Sequence, residues 1–293
     1  DVYKRQALSR LEGVGFLSAL RRGNVHGALD MGMAPGLLPG RVPLSAGCDA
    51  FDQVPTEVGM DTIAMLEAAA SGDLDVLVLL GSDPLSDVPD ADLAERGLAG
   101  AGTVIAVEML PNASTLAHAD LVLPAAAPTE VDGTFTNLEG RVSVAEQKVT
   151  PPGTARADWM IAAELALRLG ADLGVESPES IRAEIAAVSP VHAELTEAAL
   201  ADGRVEGVLI SGSSIEAPTV SVSTTPANDA YSLRLVAARR MYDNGTMLQA
   251  SASSAGLAAS VKVTLNPTDF EKLGLDAGTC LLYTSPSPRD RSL

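Results

Sequence analysis

The sequence predicts an α/β domain built on a parallel sheet, and three observations carry that expectation. In the first half, strand-like and helix-like segments alternate, the pattern that lays helices against the faces of a parallel sheet. The runs Asp75 to Leu80 and Ala119 to Ala125 are short, apolar and rich in Val and Leu, as strands buried inside a sheet are. Each ends in a polar stretch containing Gly or Pro, so the ends of the strands open into loops able to meet a ligand.

The first helix is expected over Val58 to Ala70, with Ile63, Leu66 and Ala70 on one face and Gly72 as its stop. The strand Asp75 to Leu80 follows and ends in GSDPLSD, residues 81 to 87. A helical segment, Asp90 to Ala99, leads to a second strand, Thr103 to Val107, and then to the strand ending near Pro124. Gly133 and Gly140 bracket TFTNLE, which reads as a polar loop where glycine permits a close approach. Thr154 to Leu169 reads as an amphipathic helix stopped by Gly170. Trp159, Ala162, Ala163, Ala166 and Leu169 fall on its inner face, with Trp159 as core. Ser177, Pro178 and Glu179 form a helix start, and another helix is expected over Val191 to Ala201. GSSIEAPTVSVSTTPAND then reads as a linker.

Composition narrows the function classes. With 38 acidic against 20 basic residues the net charge is −18, which argues against a nucleic-acid partner. Cys48 and Cys280 are too few for a four-thiolate iron–sulfur cluster, a zinc site or a disulfide framework, so metal chemistry is expected outside this chain. Apolar runs such as Val76 to Leu80 are far shorter than the roughly 20 residues a membrane helix needs. The start lacks both an initiator Met and the apolar core of a signal peptide, and reads as the start of a fragment. Residues 1–6 and 280–293 hold four of the 20 basic residues and two of the four Tyr, so both read as foreign segments, with a native Ser-Pro tail as the alternative.

Ligands of open α/β sheets sit beyond the carboxyl ends of the strands. That rule nominates Gly81, Ser82, Asp83 and Pro84 in one loop and marks the polar loop 132–141 as poised for a ligand, with both loops expected on one face of the sheet. A tight turn of good turn residues explains the first loop equally well, and a solvated connection the second. His26, His118 and His192 have no visible partner, and no side chain is nominated as catalytic or as a metal ligand.

Several motifs occur in one order: NVHGALDMGMAPGLLPGR at 24–41, LGSDPL at 80–85, ADLVLPAA at 119–126, DGTFTNLEGR at 132–141, PPGTARADWMI at 151–161, and YDNGT followed by LNPTDFEKLG towards the end. Together they resemble the molybdopterin oxidoreductase superfamily across about residues 7 to 279. The resemblance implies an α/β domain over 7–175, a helical segment and linker over 176–230, and the start of a carboxy-terminal β-barrel of double-psi type over 231–279. That barrel would be incomplete where the foreign tail replaces its next strand.

In the family an LGSNPL-type loop contacts the guanine dinucleotide end of the pterin. The resemblance therefore makes Gly81, Ser82, Asp83, Pro84, Gly133, Thr134 and Asn137 an inherited pterin-nucleotide site. Asp83 stands where the pattern has Asn and lacks its amide donor, and Leu248 and Gln249 follow GTM where cofactor-bearing relatives commonly have Arg or another polar group. Both departures point to a degenerate site.

Leu37 to Arg41, Glu139 to Arg141 and Tyr242 to Thr246 lean towards the large G-type subunit of bacterial NADH-quinone oxidoreductase, respiratory complex I. On that reading the chain is a structural fragment, inactive alone, that bears no cofactor. Iron–sulfur clusters would lie in an amino-terminal region. Its partners would be the other peripheral-arm subunits, on the cytoplasmic face of the plasma membrane. The alternative is the catalytic subunit of a formate dehydrogenase or nitrate reductase carrying molybdopterin guanine dinucleotide. A free-standing nucleotide-binding module leaves the ordered motifs unexplained.

Overall fold

The computed structural model describes residues 22–48, 51, 53–210, 233, 242, 245–258, 263–274 and 276. The chain divides into two units, Asp1–Ala227 and Asn228–Leu293. In the first, helix α1 (Val25–Asp30) precedes a two-residue antiparallel pair, β1 (Leu37–Leu38) with β2 (Val42–Pro43).

Next come α2 (Thr62–Ala70), β3 (Val76–Leu80), the single turn α3 (Pro84–Asp87), α4 (Ala91–Gly100), β4 (Thr103–Glu108), α5 (Ala113–His118) and β5 (Leu121–Pro124). These make the parallel sheet that the alternation predicts, in the order β3-β4-β5, with Val76 opposite Thr103 and Ile105 opposite Leu121. Asp61 and Asp90 cap α2 and α4 by accepting the backbone N–H groups of Ala64 and Leu93.

One face of the sheet carries the main core. Leu77, Leu79, Val104 and Ala106 pack against Leu66 of α2 and Leu93 and Leu98 of α4. Burial of this apolar set is the chief stabilising term here, at roughly 1.5–3 kcal/mol for each large side chain. The two helices touch backbone to backbone through Gly97 and Gly100. A Cβ at Gly100 would sit 2.4 Å from the Ala69 carbonyl oxygen, so a side chain there would force the helices apart.

The buried face of α2 is Leu66 and Ala69, whereas Ile63 and Ala70 point outward. The helix begins four residues later than expected, because Asp61 caps it, and the sheet selects the neighbouring stripe. On the opposite face of the sheet Val76, Val78 and Leu80 are half-exposed, although parallel sheets usually bury both faces. Part of that face is covered by α6 (Asp158–Arg168), through Ile161 packed on Val107, Leu123 and Ala125. Ile161 is the buried residue of α6. Trp159 is half-buried and Leu169 is exposed, which corrects the expected inner face.

The stretch expected as a loop at 132–141 is instead a hairpin, β6 (Gly133–Thr136) with β7 (Arg141–Ala145), in a separate antiparallel sheet. The expectation that it shares a face of the parallel sheet with residues 81–87 is therefore incorrect. Thr and Phe alternate on one arm and Val and Ser on the other, and the turn residues Asn137 to Gly140 lie between them, Gly140 at φ +84°.

A third strand, β8 (Val208–Leu209), pairs with β7 and returns residues beyond 175 to this sheet. Before it come α7 (Pro178–Val188), capped by Ser177, a 3-10 turn (Pro190–His192) and α8 (Glu197–Asp202). The helix expected over 191–201 is thus split in two. Val142, Leu195, Leu200 and Val208 form the core of this part.

The expected linker over 212–229 lies outside the described residues. In the second unit the described residues include α9 (Thr246–Ala250) and α10 (Pro267–Leu273), the latter capped by Asn266. Among the described residues after 231 there is no strand, so the barrel is not seen. Residues 1–6 and 280–293 lie outside the description.

Candidate functional site

Two polar sites stand out, the first built from the residues 81–84 that the sequence nominates and the second sharing only Thr134 with the nominated set. The first is the crevice at the carboxyl ends of β3 and β4. Gly81 takes a left-handed φ of +57° and its N–H donates to the Val107 carbonyl at 3.0 Å, turning the chain off the sheet. Asp83 then falls over the start of α5. Its Oδ1 accepts from the Ser114 N–H at 3.1 Å and from the Ser114 hydroxyl at 2.5 Å, and its Oδ2 accepts from the Ser86 hydroxyl at 2.7 Å. Burial opposes its ionisation, but the hydrogen bonds from Ser114 and Ser86 outweigh it and hold the carboxyl below the ordinary aspartate value.

Glu108, at the end of β4, is buried beside it. Its Oε1 accepts from Asn112 Nδ2 at 3.0 Å, and the same Asn112 amide donates to the Ser82 carbonyl at 3.3 Å. Burial pushes the Glu108 carboxyl up, the Asn112 bond and a bond from the Ser82 N–H pull it back, and the charge of Asp83 adds to the rise. Glu108, Asn112 and Ser114 were missed by the sequence reading. Nothing in the local pattern marks them, since Glu108 ends an apolar strand and the other two begin a short helix.

The loop 81–87 therefore has few donors left. The Leu85 N–H donates to the Ser114 hydroxyl at 3.0 Å, and the Ser86 and Asp87 N–H groups donate to the Asp83 carbonyl. Pro84 has no N–H. Of the other nominated residues, Asn137 closes the hairpin turn, its Oδ1 accepting from the Glu139 and Arg141 N–H groups at 2.9 Å each, and Gly133 and Thr134 lie in β6. The structure therefore brings together Gly81 to Pro84, and separately Gly133, Thr134 and Asn137.

The second site is a cavity of about 100 Å³ lined by Asn24, Thr134, Thr136, Arg182 and His192 among others. Asn24 joins α1 to β6 by accepting from the Thr136 N–H at 2.8 Å. His192 is buried, and its Nδ1 lies 2.7 Å from the hydroxyl of Ser189, which is fully buried. Burial holds the imidazole below its ordinary value, and the Arg41 guanidinium acts in the same direction against the pull of Asp30. Arg41, at φ +57°, bonds Asp30 Oδ1 at 2.5 Å and His26 Nδ1 at 2.8 Å, fastening α1 to β2. The sequence did hold a signal for the Ser189–His192 pair. In Ser-Pro-Val-His the proline starts a 3-10 turn, in which residues three apart stack over one another.

Comparison with known proteins places this architecture. The chain is 32% identical over 274 residues to a G-type subunit of the NADH-quinone oxidoreductase of Rhizobium meliloti, covering 90% of this chain and 31% of the relative. It is 29% identical over 273 residues to the NADPH-Fe(3+) oxidoreductase subunit alpha of Geobacter sulfurreducens, with 90% and 31% covered. A putative formate dehydrogenase of Bacillus subtilis, YrhE, is 33% identical over 192 residues, 63% of this chain and 20% of the relative. Among solved structures, acetylene hydratase from Pelobacter acetylenicus aligns with a TM-score of 0.38 at 21% identity, over 48% of this chain and 21% of that one. The chain spans about a third of the length of the first two of these relatives.

The family implies a molybdopterin cofactor, and the crevice at 81–87 does not fit its dinucleotide. A phosphate there would need unpaired N–H groups or a cation. The nominated residues of this loop offer a buried carboxylate and no cationic side chain. The Gly81 N–H is engaged within the protein and Pro84 has none, which leaves the N–H groups of Asp83 and, shared with Glu108, of Ser82, beside the Asp83 carboxylate that would repel a phosphate. The molybdopterin oxidoreductase model nevertheless matches residues 7–168, more than half of the chain, and with the parallel sheet and its ordered motifs this establishes that the chain belongs to the molybdopterin oxidoreductase family.

Proposed function

We propose that the chain is part of the large G-type subunit of a respiratory NADH-quinone oxidoreductase, in which this domain is a structural body of the peripheral arm. Electrons would pass through iron–sulfur clusters carried elsewhere in the subunit, and the other peripheral-arm subunits would be its partners, on the cytoplasmic face of the membrane. Matches to G-type subunits of this enzyme from Rhizobium meliloti and Streptomyces coelicolor, over 90% and 91% of the chain, support this reading. The observation that carries it is the engagement of the polar groups of loop 81–87 with Asn112, Ser114 and each other. Among the described residues no helix is long and apolar enough to cross a membrane, and no His, Cys, Asp and Glu cluster would hold a metal.

The inherited pterin site of Gly81, Ser82, Asp83, Pro84, Gly133, Thr134 and Asn137 is, on this reading, vacant. Molybdenum and pterin analysis of the full-length protein from anaerobic cells tests it. Substoichiometric molybdenum and pterin are expected. One molybdenum per chain would establish the alternative, a molybdopterin-dependent formate dehydrogenase or nitrate reductase.

A further inference from the structure

The cavity between the hairpin and the α7 segment is lined partly by hydrogen-bond donors and partly by apolar side chains, and belongs to no part of the proposed pterin site except Thr134. Its walls come from three distant stretches: Asn24 on entry to α1, Thr134 and Thr136 on β6, and Arg182 and His192 from the helical segment. None of the described lining residues is acidic, although the chain carries 38 acidic residues. Asn24 has its oxygen committed to the Thr136 N–H, which leaves its amide hydrogens for the cavity.

The His192 tautomer follows from Ser189. That hydroxyl is fully buried, and among the described residues His192 is the partner its side chain has. A proton on Nδ1 would leave the serine O–H without an acceptor, at a cost of about 1–3 kcal/mol. Ser189 therefore donates to Nδ1 and the ring proton sits on Nε2. His192 is 4% exposed and lines the cavity, and Nε2 has no hydrogen-bond partner among the described residues. Arg182 adds a guanidinium whose Nε and Nη2 pair with the exposed Glu197 and Glu179 and whose Nη1 has no partner among the described residues.

We propose that this cavity is a binding site for a single small oxyanion, held by Arg182, His192 Nε2–H, the Asn24 amide and the hydroxyls of Thr134 and Thr136. The volume sets the class. About 100 Å³ has room for roughly three waters and is well below the roughly 300–1,000 Å³ of pockets for drug-sized ligands, so a nucleotide is excluded. A small guest rich in acceptors matches the donors on the polar part of the wall, the remainder being apolar through Met31, Val142, Ile185 and Leu195.

Titration calorimetry of the full chain with inorganic phosphate, and separately with sulfate, tests the site. Saturable one-to-one binding is expected. Thr136→Val and Arg182→Gln should each weaken it at least tenfold, while Arg168→Gln, on exposed α6, leaves it unchanged. Thr136→Val removes a hydroxyl that bonds no described residue, so an unaltered circular dichroism spectrum should accompany the lost affinity. Absence of saturable binding by either ion would overturn the proposal. So would binding that all three variants retain, since the ion would then lie elsewhere.

Discussion

The crevice at the ends of β3 and β4 and the cavity beneath the β6–β7 hairpin are both buried, polar and close to family motifs, yet they differ in what remains available. In the crevice, Asp83 and Glu108 meet donors from Ser114, Ser86, Asn112 and the loop itself. In the cavity, His192 keeps a ring nitrogen without a partner among the described residues, and donors from Asn24, Thr134, Thr136 and Arg182 line part of the wall. Residue type and position in a loop therefore do not determine whether a group can bind. The partners it already has do, because a buried polar group is stable only when paired.

Removing the acceptor in the crevice should produce the largest effect. Asp83→Ala leaves the Ser114 N–H and hydroxyl and the Ser86 hydroxyl without their acceptor, and should cost about 3 kcal/mol in urea unfolding. Asp83→Asn keeps one oxygen for Ser114 and should cost about 1 kcal/mol. A loss below about 0.5 kcal/mol for Asp83→Ala would mean that the network is not what holds the crevice closed.

The pH dependence sharpens the same contrast. The folded-state value of Asp83 is depressed, so its contribution is present above the ordinary 3.8 and is lost as pH falls through the depressed value. Asp83→Asn should flatten that acid limb. Glu108 is raised, so its contribution is complete below the ordinary 4.5 and is lost as pH rises through the raised value. Glu108→Gln should therefore remove a decline in stability that begins near pH 4.5, read from denaturation midpoints across the pH series. The smallest effect is expected in the cavity, where Thr136→Val should change stability by less than about 1 kcal/mol, because the lost hydroxyl has no partner among the described residues.

Much of the parallel sheet was legible because its strands are continuous apolar runs separated by helical segments, although the cap at Asp61 went unread and α2 was expected to start four residues early. Helix faces were less so. Periodicity gave Trp159 and Leu169 to the inside of α6, but the helix meets the sheet at one corner through Ile161, a choice made by tertiary geometry. The hairpin at 133–145 was read as a loop because its two glycines drew attention from the alternating Thr, Phe, Val and Ser around the NLEG turn. Loop 81–87 was correctly located as a strand end. Its closure was invisible, since Asp83 and Ser114 are 31 residues apart and Asn112 and Ser82 are 30 apart.

Hydrogen exchange at single-residue resolution tests the closed crevice most directly. The account predicts that the amides of Gly81, Leu85 and Ser114 exchange as slowly as those within β4, since each donates to a protein acceptor. Exchange at these three amides near the rate of an unstructured loop would show donors open to a ligand and would contradict it.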